Sequence, residues 1–306
     1  MPDVAFASSS FRNAVRFAKL LGVDSDLTPA WQTALDNMPA YPTAEFTFVD
    51  GAVGSEFNGG PAFFVEAAYG HNPGIFPNGS TTAPPVWPWC NKEYPIANFA
   101  AMWPTDEIGA TQTTDANLLA IAKQTVYGLN KYTEKPWANT NGFCLSWPPA
   151  VRVSGQEDAV TLIDAFANGI LSATGNNACV ENQGGMLEDV GATVAINDML
   201  LQSHGGVMRF FPVWNATALG AASFTTLRAY GAFLVSASVD AVGTVSTVSL
   251  TSEVGDDVVF ATPWGGATPP VVKDGTGAAV PTTPVSPGVY SFSTAVGGSY
   301  SISAPA

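Results

Sequence analysis

Basic side chains are scarce in this sequence. Its 306 residues contain 11 Lys and Arg against 25 Asp and Glu, which gives a formal net charge of −14. A protein that binds nucleic acid or an anionic membrane needs clustered basic residues to neutralise phosphates. The sequence has no such cluster, so we expect neither nucleic acid nor a membrane as a partner.

Cysteine and histidine are also rare. The three cysteines, Cys90, Cys144 and Cys179, lack the spacing of a metal site, and the chain has two histidines. A structural zinc site is therefore not expected, and we predict no metal and no cofactor. One disulfide with a free thiol and three free thiols are both compatible with the sequence.

A long hydrophobic run is missing as well. No apolar stretch approaches the ~20 residues that span a membrane, and the first residues lack the basic and apolar regions of a signal peptide. The chain instead contains many Gly (30), Pro (23) and Trp (8) residues. A Trp-rich, Lys-poor, acidic chain with many Ser, Thr and Asn is common among secreted carbohydrate-active proteins. This association favours a carbohydrate partner and a location outside the cell or in the secretory pathway. Two glycosylation sequons, Asn78-Gly-Ser80 and Asn215-Ala-Thr217, matter only in such a location.

Hydrophobic periodicity divides the chain into a helical part and a β part. Apolar residues at helical spacing predict five helices, at Ser9–Leu21, Thr28–Met38, Asp115–Tyr132, Gln156–Ala173 and Ala192–Ser203. Between the second and third helices the chain is rich in Pro, Gly and Trp, and short strands are expected. After Pro212, short alternating segments separated by Gly turns predict a small antiparallel β-sandwich. The domains are accordingly placed at residues 1–212 and 213–306.

Carboxylates cluster just before the last predicted helix. Glu181, Glu188 and Asp189 lie in a Gly-rich stretch at the mouth of that helix. Such a cluster suits catalysis, but acidic residues at a helix start also stabilise the positive end of the helix without any chemistry. Both interpretations stay open at this point.

The segments on both sides of Pro212 carry a family resemblance. The block INDMLLQSHGGVMRFFPVW and the following ASFTTLRAYGAFLVSASVD resemble glycoside hydrolase family 95, the α-L-fucosidase family. The hairpin FRNAVRFAKLLGVDSDLTPAWQTALDNMPAYPT, the loop NFAAMWPTDEIG and the segment GFCLSW are similar to further parts of that family. The resemblance covers nearly the whole chain and is most specific between MLLQSH and LRAYGAF.

The resemblance implies a mainly α fold with a β domain. Residues 1–212 would be the C-terminal part of an (α/α)6 toroid, followed by the β-sandwich. The implied activity is hydrolysis of a terminal α-linked sugar, of fucose or galactose type, with inversion. Inversion requires two carboxyls roughly 6.5–9.5 Å apart, one donating a proton and one activating water.

The catalytic base is the point where this chain departs from the family. The family's Asp-Gly-Asn-Phe-Gly-Gly motif is replaced by Glu181-Asn182-Gln183-Gly184-Gly185 and, further on, by Glu188. Glu188 is the preferred base and Glu181 the second choice, while Asp189 and the absence of a base remain open. The family's general acid lies upstream of the first hairpin, so we expect either a fragment of a longer enzyme or a decayed, inert carbohydrate-binding protein. A fragment would expose apolar faces of its first helices.

Predicted sugar-binding residues lie on the loops. Trp rings stack on the apolar face of a sugar, and amide or imidazole groups bind its hydroxyls. The candidates are Asn98, Trp103, Trp147, His71 and Asn182. The adjacent carboxylates Asp106 and Glu107 are an additional candidate pair. His204 is interpreted as structural, and Arg209 and Arg228 are expected to tie the helical part to the β part.

Overall fold

The computed structural model describes residues 2–45, 47–48, 55–56, 62–64, 96–132, 147–174, 186–265 and 268–305. The chain divides into two compact units. Unit 1 contains Met1–Val153 and Ala165–Ala192, and unit 2 contains Ser154–Asp164 and Thr193–Ala306.

Unit 1 begins with a helical hairpin, as the sequence predicts. The helices are α1 (Pro2–Leu21) and α2 (Thr28–Asp36). Gly22, with φ +68°, ends α1 in the left-handed conformation that glycine adopts without strain. Pro29 lies in the first turn of α2, where a missing N–H costs no helical hydrogen bond.

Short strands and further helices follow the hairpin. The strands are β1 (Thr43–Glu45), β2 (Thr47–Phe48), β3 (Ser55–Glu56) and β4 (Ala62–Phe64). The helices are α3 (Ile96–Phe99), α4 (Ala116–Tyr132), α5 (147–152), α6 (Ala159–Thr174) and α7 (Met186–Leu200). Strand β4 pairs with β1 and contacts α4. Its Phe64 is fully buried, as are Phe99, Met102 and Val126.

Unit 2 is rich in β structure, as the alternating segments predict. A tight hairpin joins β5 (Leu201–Gln202) to β6 (Arg209–Phe210) through the left-handed pair Gly205 and Gly206, and a single helical turn, α8 (Ala216–Leu219), follows. The remaining strands are β7 (Ala222–Ala229), β8 (Phe233–Val239), β9 (Val248–Ser252), β10 (Val258–Ala261), β11 (Val271–Asp274), β12 (Ala279–Val280), β13 (Thr283–Ser286), β14 (Val289–Phe292) and β15 (Ser299–Ser303).

Two antiparallel sheets share the core of unit 2. The larger has the order β12-β11-β15-β9-β8-β7 and the smaller β10-β14-β13. In β8 the odd-numbered side chains from Phe233 to Val239 are buried and the even-numbered ones partly exposed, the period of two that a half-buried strand requires. Phe260 lies in the centre of the core, 6.0 Å from Phe292 and 6.5 Å from Phe210 between ring centroids.

The outer strands of these sheets are short, irregular or covered. Strand β12 has two residues, and the pairing of β13 shifts register between Pro284 and Ser286. Strand β7 shifts register between Phe224 and Leu227. Strand β10 is covered by Met208, whose N–H donates to Val259 O at 2.8 Å and whose carbonyl accepts from Ala261 N at 2.9 Å.

The predicted mainly α fold with an (α/α)6 toroid is wrong. Helix accounts for 37% and strand for 25% of the structure. In unit 1 the helices pack with short strands, since Phe64 N in β4 donates to Thr125 Oγ1 in α4 at 2.8 Å. A toroid is built from helical hairpins packed against one another, an arrangement that this helix-on-strand packing does not match.

Several large apolar side chains of α1 are exposed. Phe17 is 52% exposed, Leu20 75% and Leu21 70%, whereas Val15 and Ala18 are buried. Helix α1 thus buries one apolar face and leaves another in contact with solvent.

Candidate functional site

The best-defined polar cluster of unit 1 surrounds the acidic loop, residues 103–107. The loop follows α3 and contains a cis peptide bond between Trp103 and Pro104. Backbone hydrogen bonds fold it onto the preceding turn, with Glu107 N donating to Ala101 O at 2.8 Å and Thr105 N to Ala100 O at 3.3 Å. The loop is therefore held by its own backbone, and its two carboxylates project from a fixed base.

Asp106 is bound by an arginine from α5. Arg152 Nη1 donates to Asp106 Oδ1, and the two side chains are 8% and 17% exposed, respectively. The backbone reinforces this contact, because Ala110 N donates to Arg152 O at 2.7 Å. Asp106 has a φ of +57°, a left-handed conformation that Asp adopts more readily than most residues.

Glu107 is bound by an arginine from α1. Arg12 donates through both terminal nitrogens to the two oxygens of Glu107, and the Nη2–Oε2 distance is 2.8 Å. The Glu107 side chain is 6% exposed and that of Arg12 is 52% exposed. This hydrogen bonding raises the pKa of the Arg12 guanidinium.

Tyr41 completes the cluster. Burial raises the pKa of its hydroxyl well above the ordinary value, and the charge of Glu107 raises it further. Its ring packs edge-on against Phe64, with centroids 5.9 Å apart. A neutral phenol therefore lies beside the Arg12–Glu107 pair.

The two loop carboxylates are structural links. An inverting hydrolase needs an acid and a base on opposite faces of the substrate, roughly 6.5–9.5 Å apart. Asp106 and Glu107 are consecutive, and each is bound by its own arginine. Through them the acidic loop connects α1 to α5.

Asn98, a predicted sugar ligand, is completely buried. Its Nδ2 donates to Phe64 O at 2.8 Å, and the N–H of the same Phe64 donates to Thr125 Oγ1. Asn98 and Thr125 together satisfy both backbone groups of Phe64. The geometry supports a role in fixing β4, and sugar binding by Asn98 stays a prediction.

The two described tryptophans among the predicted sugar platforms differ in exposure. Trp147 is 1% exposed and packs edge-on against Phe166 at a centroid distance of 5.0 Å. Trp103 is partly exposed at the start of the acidic loop. Stacking on a sugar requires an accessible ring face, so Trp103 is the better placed of the two.

Glu188, the preferred catalytic base, lies inside a helix and not in a loop before it. Helix α7 begins at Met186, six residues earlier than the sequence predicts, so Glu188 and Asp189 belong to its first turn. Glu181, Asn182, His71 and the three cysteines lie outside the described residues.

The block around MLLQSH contributes buried polar side chains to unit 2. Its residues Gln202 and His204 are 1% and 2% exposed. Arg209 donates to Val207 O at 3.1 Å, and burial lowers the pKa of its guanidinium. Arg228 binds Glu253 within unit 2, and the predicted ties of Arg209 and Arg228 to the helical part stay predictions.

The residues that sequence inspection missed are the arginines. Arg12 lies 95 positions from Glu107, and Arg152 lies 46 positions from Asp106. Neither arginine stands in a recognisable motif, so the sequence offers no signal that would pair them with the acidic loop. Tyr41 and Thr125 were missed for the same reason.

The described part of the chain holds no group of three or more His, Cys, Asp or Glu placed to bind a metal ion. Within the same residues no helix has the length and apolarity to cross a membrane.

Comparison with known proteins gives no match, either to a family model or to a curated protein. Any function for this chain is therefore a proposal, based on its own residues and on the resemblance of its MLLQSH and LRAYGAF segments.

Proposed function

We propose that this protein acts on carbohydrate as a glycoside hydrolase that cleaves a terminal α-linked sugar of fucose or galactose type with inversion. Glu188 is the base in this proposal, and Glu181 is the second candidate. The observation that carries it is the position of Glu188 in the first turn of α7. The first turn of a helix is a place where the helix dipole generally favours a carboxylate, and a general base must be ionised to accept a proton.

The proposed reaction is a single displacement. Glu188 takes a proton from water while the water oxygen bonds to the anomeric carbon, and the bond from that carbon to the leaving oxygen breaks. The leaving oxygen receives a proton from a general acid, which the resemblance places upstream of α1. The chain thus supplies the base of the pair, and Trp103 is the candidate platform for the sugar ring.

The decisive experiment uses a substrate that needs no general acid. Fluoride departs from a glycosyl fluoride without being protonated by the enzyme, so α-L-fucosyl and α-galactosyl fluorides test the base alone. We expect fluoride release by the chain, with the β-anomer as first product by proton NMR. Glu188→Gln should lower kcat roughly 10²–10⁴-fold, whereas Asp189→Asn, the adjacent carboxylate, serves as the matched control and should change it little.

Azide provides an independent readout for the base. Azide needs no deprotonation, so it should restore turnover in Glu188→Ala and yield the β-glycosyl azide. Restoration in Glu181→Ala in place of Glu188→Ala would transfer the role of base to Glu181. If Glu188→Gln and Glu181→Gln both keep full kcat, neither residue is the base.

A second candidate function is carbohydrate binding without turnover. It is favoured by the two loop carboxylates, which are bound to Arg12 and Arg152 as structural links. Calorimetry with L-fucose and D-galactose would then detect binding, while the glycosyl fluorides remain intact. Absence of both binding and fluoride release would overturn both candidate functions.

A further inference from the structure

The sequon at Asn215 lies on a closed surface turn of unit 2. The turn follows β6 and contains α8, and its ends are joined by Trp214 Nε1, which donates to Gly220 O at 3.0 Å. Ala216 is buried and packs in the core of the unit. The backbone around the sequon is therefore fixed, and its conformation does not depend on any modification.

The two polar side chains of the sequon point to the surface and contact each other. Thr217 Oγ1 donates to Asn215 Oδ1 at 2.7 Å. Thr217 and Ala218 are exposed and Asn215 is partly exposed. The hydrogen bond engages the amide oxygen of Asn215, whereas a glycan would join the amide nitrogen.

The backbone carbonyl of Asn215 stabilises the turn independently of the Asn215 side chain. Its carbonyl accepts from Leu219 N at 2.8 Å and from Ala218 N at 3.1 Å. A substituent on the side-chain nitrogen leaves these bonds intact, because they involve only the main chain. The folded turn can thus carry a large polar group without losing the contacts that hold it.

We propose that Asn215 is an N-glycosylation site. The donor is a lipid-linked diphosphate oligosaccharide, met in the secretory pathway. The Asn215 nitrogen bonds to the anomeric carbon of the first sugar, the bond from that carbon to the phosphate oxygen breaks, and the lipid diphosphate leaves. The proton lost by the nitrogen passes to a base of the transferase. The attached glycan covers the surface around α8.

The test is secretion of the full chain from a glycosylating eukaryotic host in the Asn78→Gln background, which removes the other sequon. Peptide mass spectrometry should find an oligosaccharide on the peptide containing Asn215. Enzymatic release of the glycan should leave Asp at that position.

Two substitutions at Thr217 form a matched pair. Thr217→Ser keeps the hydroxyl and should keep the glycan, whereas Thr217→Val has nearly the same shape and should lose it. Thermal unfolding of each secreted protein shows that it is folded. An unmodified Asn215 in folded, secreted Asn78→Gln protein would overturn the proposal, as would full glycan occupancy in Thr217→Val.

Discussion

Arg152 and Asp106 form an ion pair that is largely withdrawn from water, with side-chain exposures of 8% and 17%. The pair joins the acidic loop to α5 and lies beside a second pair, Arg12–Glu107, which joins the same loop to α1. A charge left alone in such surroundings loses both its partner and most of its hydration.

We expect Asp106→Ala to lower the free energy of unfolding of unit 1 by about 3 kcal/mol, because it leaves Arg152 without this carboxylate. Arg152→Ala should have a similar effect, and the double variant should lose less than the sum of the two. Urea titration measures the change, and faster hydrogen exchange at the Ala110 amide, which bonds to Arg152 O, locates it. The exposed pair Arg228–Glu253 is the control, and Glu253→Ala should give no resolvable change. Additive losses at Asp106 and Arg152 would contradict the coupling.

Tyr41 should make unit 1 sensitive to alkali. Its pKa is raised in the folded state, so its contribution to stability is complete below the unfolded pKa of about 10 and is lost as pH rises above that value. The physical reason is that ionisation would place a buried anion beside Glu107. We expect melting temperatures between roughly pH 9 and 12 to fall less steeply in Tyr41→Phe. Tyr230→Phe, at a side chain that is 53% exposed, should follow the unsubstituted protein.

Asn98→Ala should destabilise the protein by about 1–3 kcal/mol, because the buried carbonyl of Phe64 loses its donor. Thr125→Val removes the acceptor for the N–H of the same residue and should have a comparable effect. Chemical denaturation measures both. Unchanged stability in Asn98→Ala, together with weaker sugar binding, would make Asn98 a ligand and not a structural residue.

Alanine substitutions at two glycines of unit 2 distinguish the cost of backbone strain from the cost of a steric clash. Gly231 and Gly243 have φ angles of 89° and 90°, so alanine at either position costs about 1–2 kcal/mol in backbone conformation. A Cβ on Gly231 would lie 2.5 Å from Phe233 Cε2, whereas a Cβ on Gly243 meets no atom within 4 Å. Gly231→Ala should therefore cost about 1–3 kcal/mol more, since the buried ring must move. Equal losses in thermal unfolding would contradict the predicted conflict.

Regular alternation made much of unit 2 predictable. Strands β8, β9, β10 and β14 follow a period of two that is visible in the sequence. Strands β7 and β13 lack this signal, because a register shift breaks the period in β7, and β13 has only exposed side chains and contains Pro284. In such strands the pairing partner, and not the local pattern, determines the conformation.

Helix positions were predicted better than helix ends and helix packing. Asp115 accepts hydrogen bonds from the first turn of α4, as an N-terminal cap should, and the predicted start is one residue away. The start of α7 was misplaced because the Gly-rich sequence before it favours a loop. The toroid, which the family resemblance implied, was wrong, because a likeness of short segments does not say whether a helix or a strand covers their apolar faces.

The candidate site was the least predictable part. The sequence shows adjacent carboxylates at Asp106 and Glu107, a pattern compatible with both catalysis and structure. Their arginine partners are distant in the chain, so the choice between the two roles needed the fold.

The short, irregular or covered outer strands of unit 2 affect how the protein behaves in solution. An open strand edge offers unpaired backbone groups to a strand of another molecule, which is a common route to aggregation. Here β12 is too short, β7 and β13 are distorted, and β10 is occupied by Met208. Unit 2 thus offers no long, regular edge among the described strands of these two sheets, and its β structure should resist self-association even at high concentration.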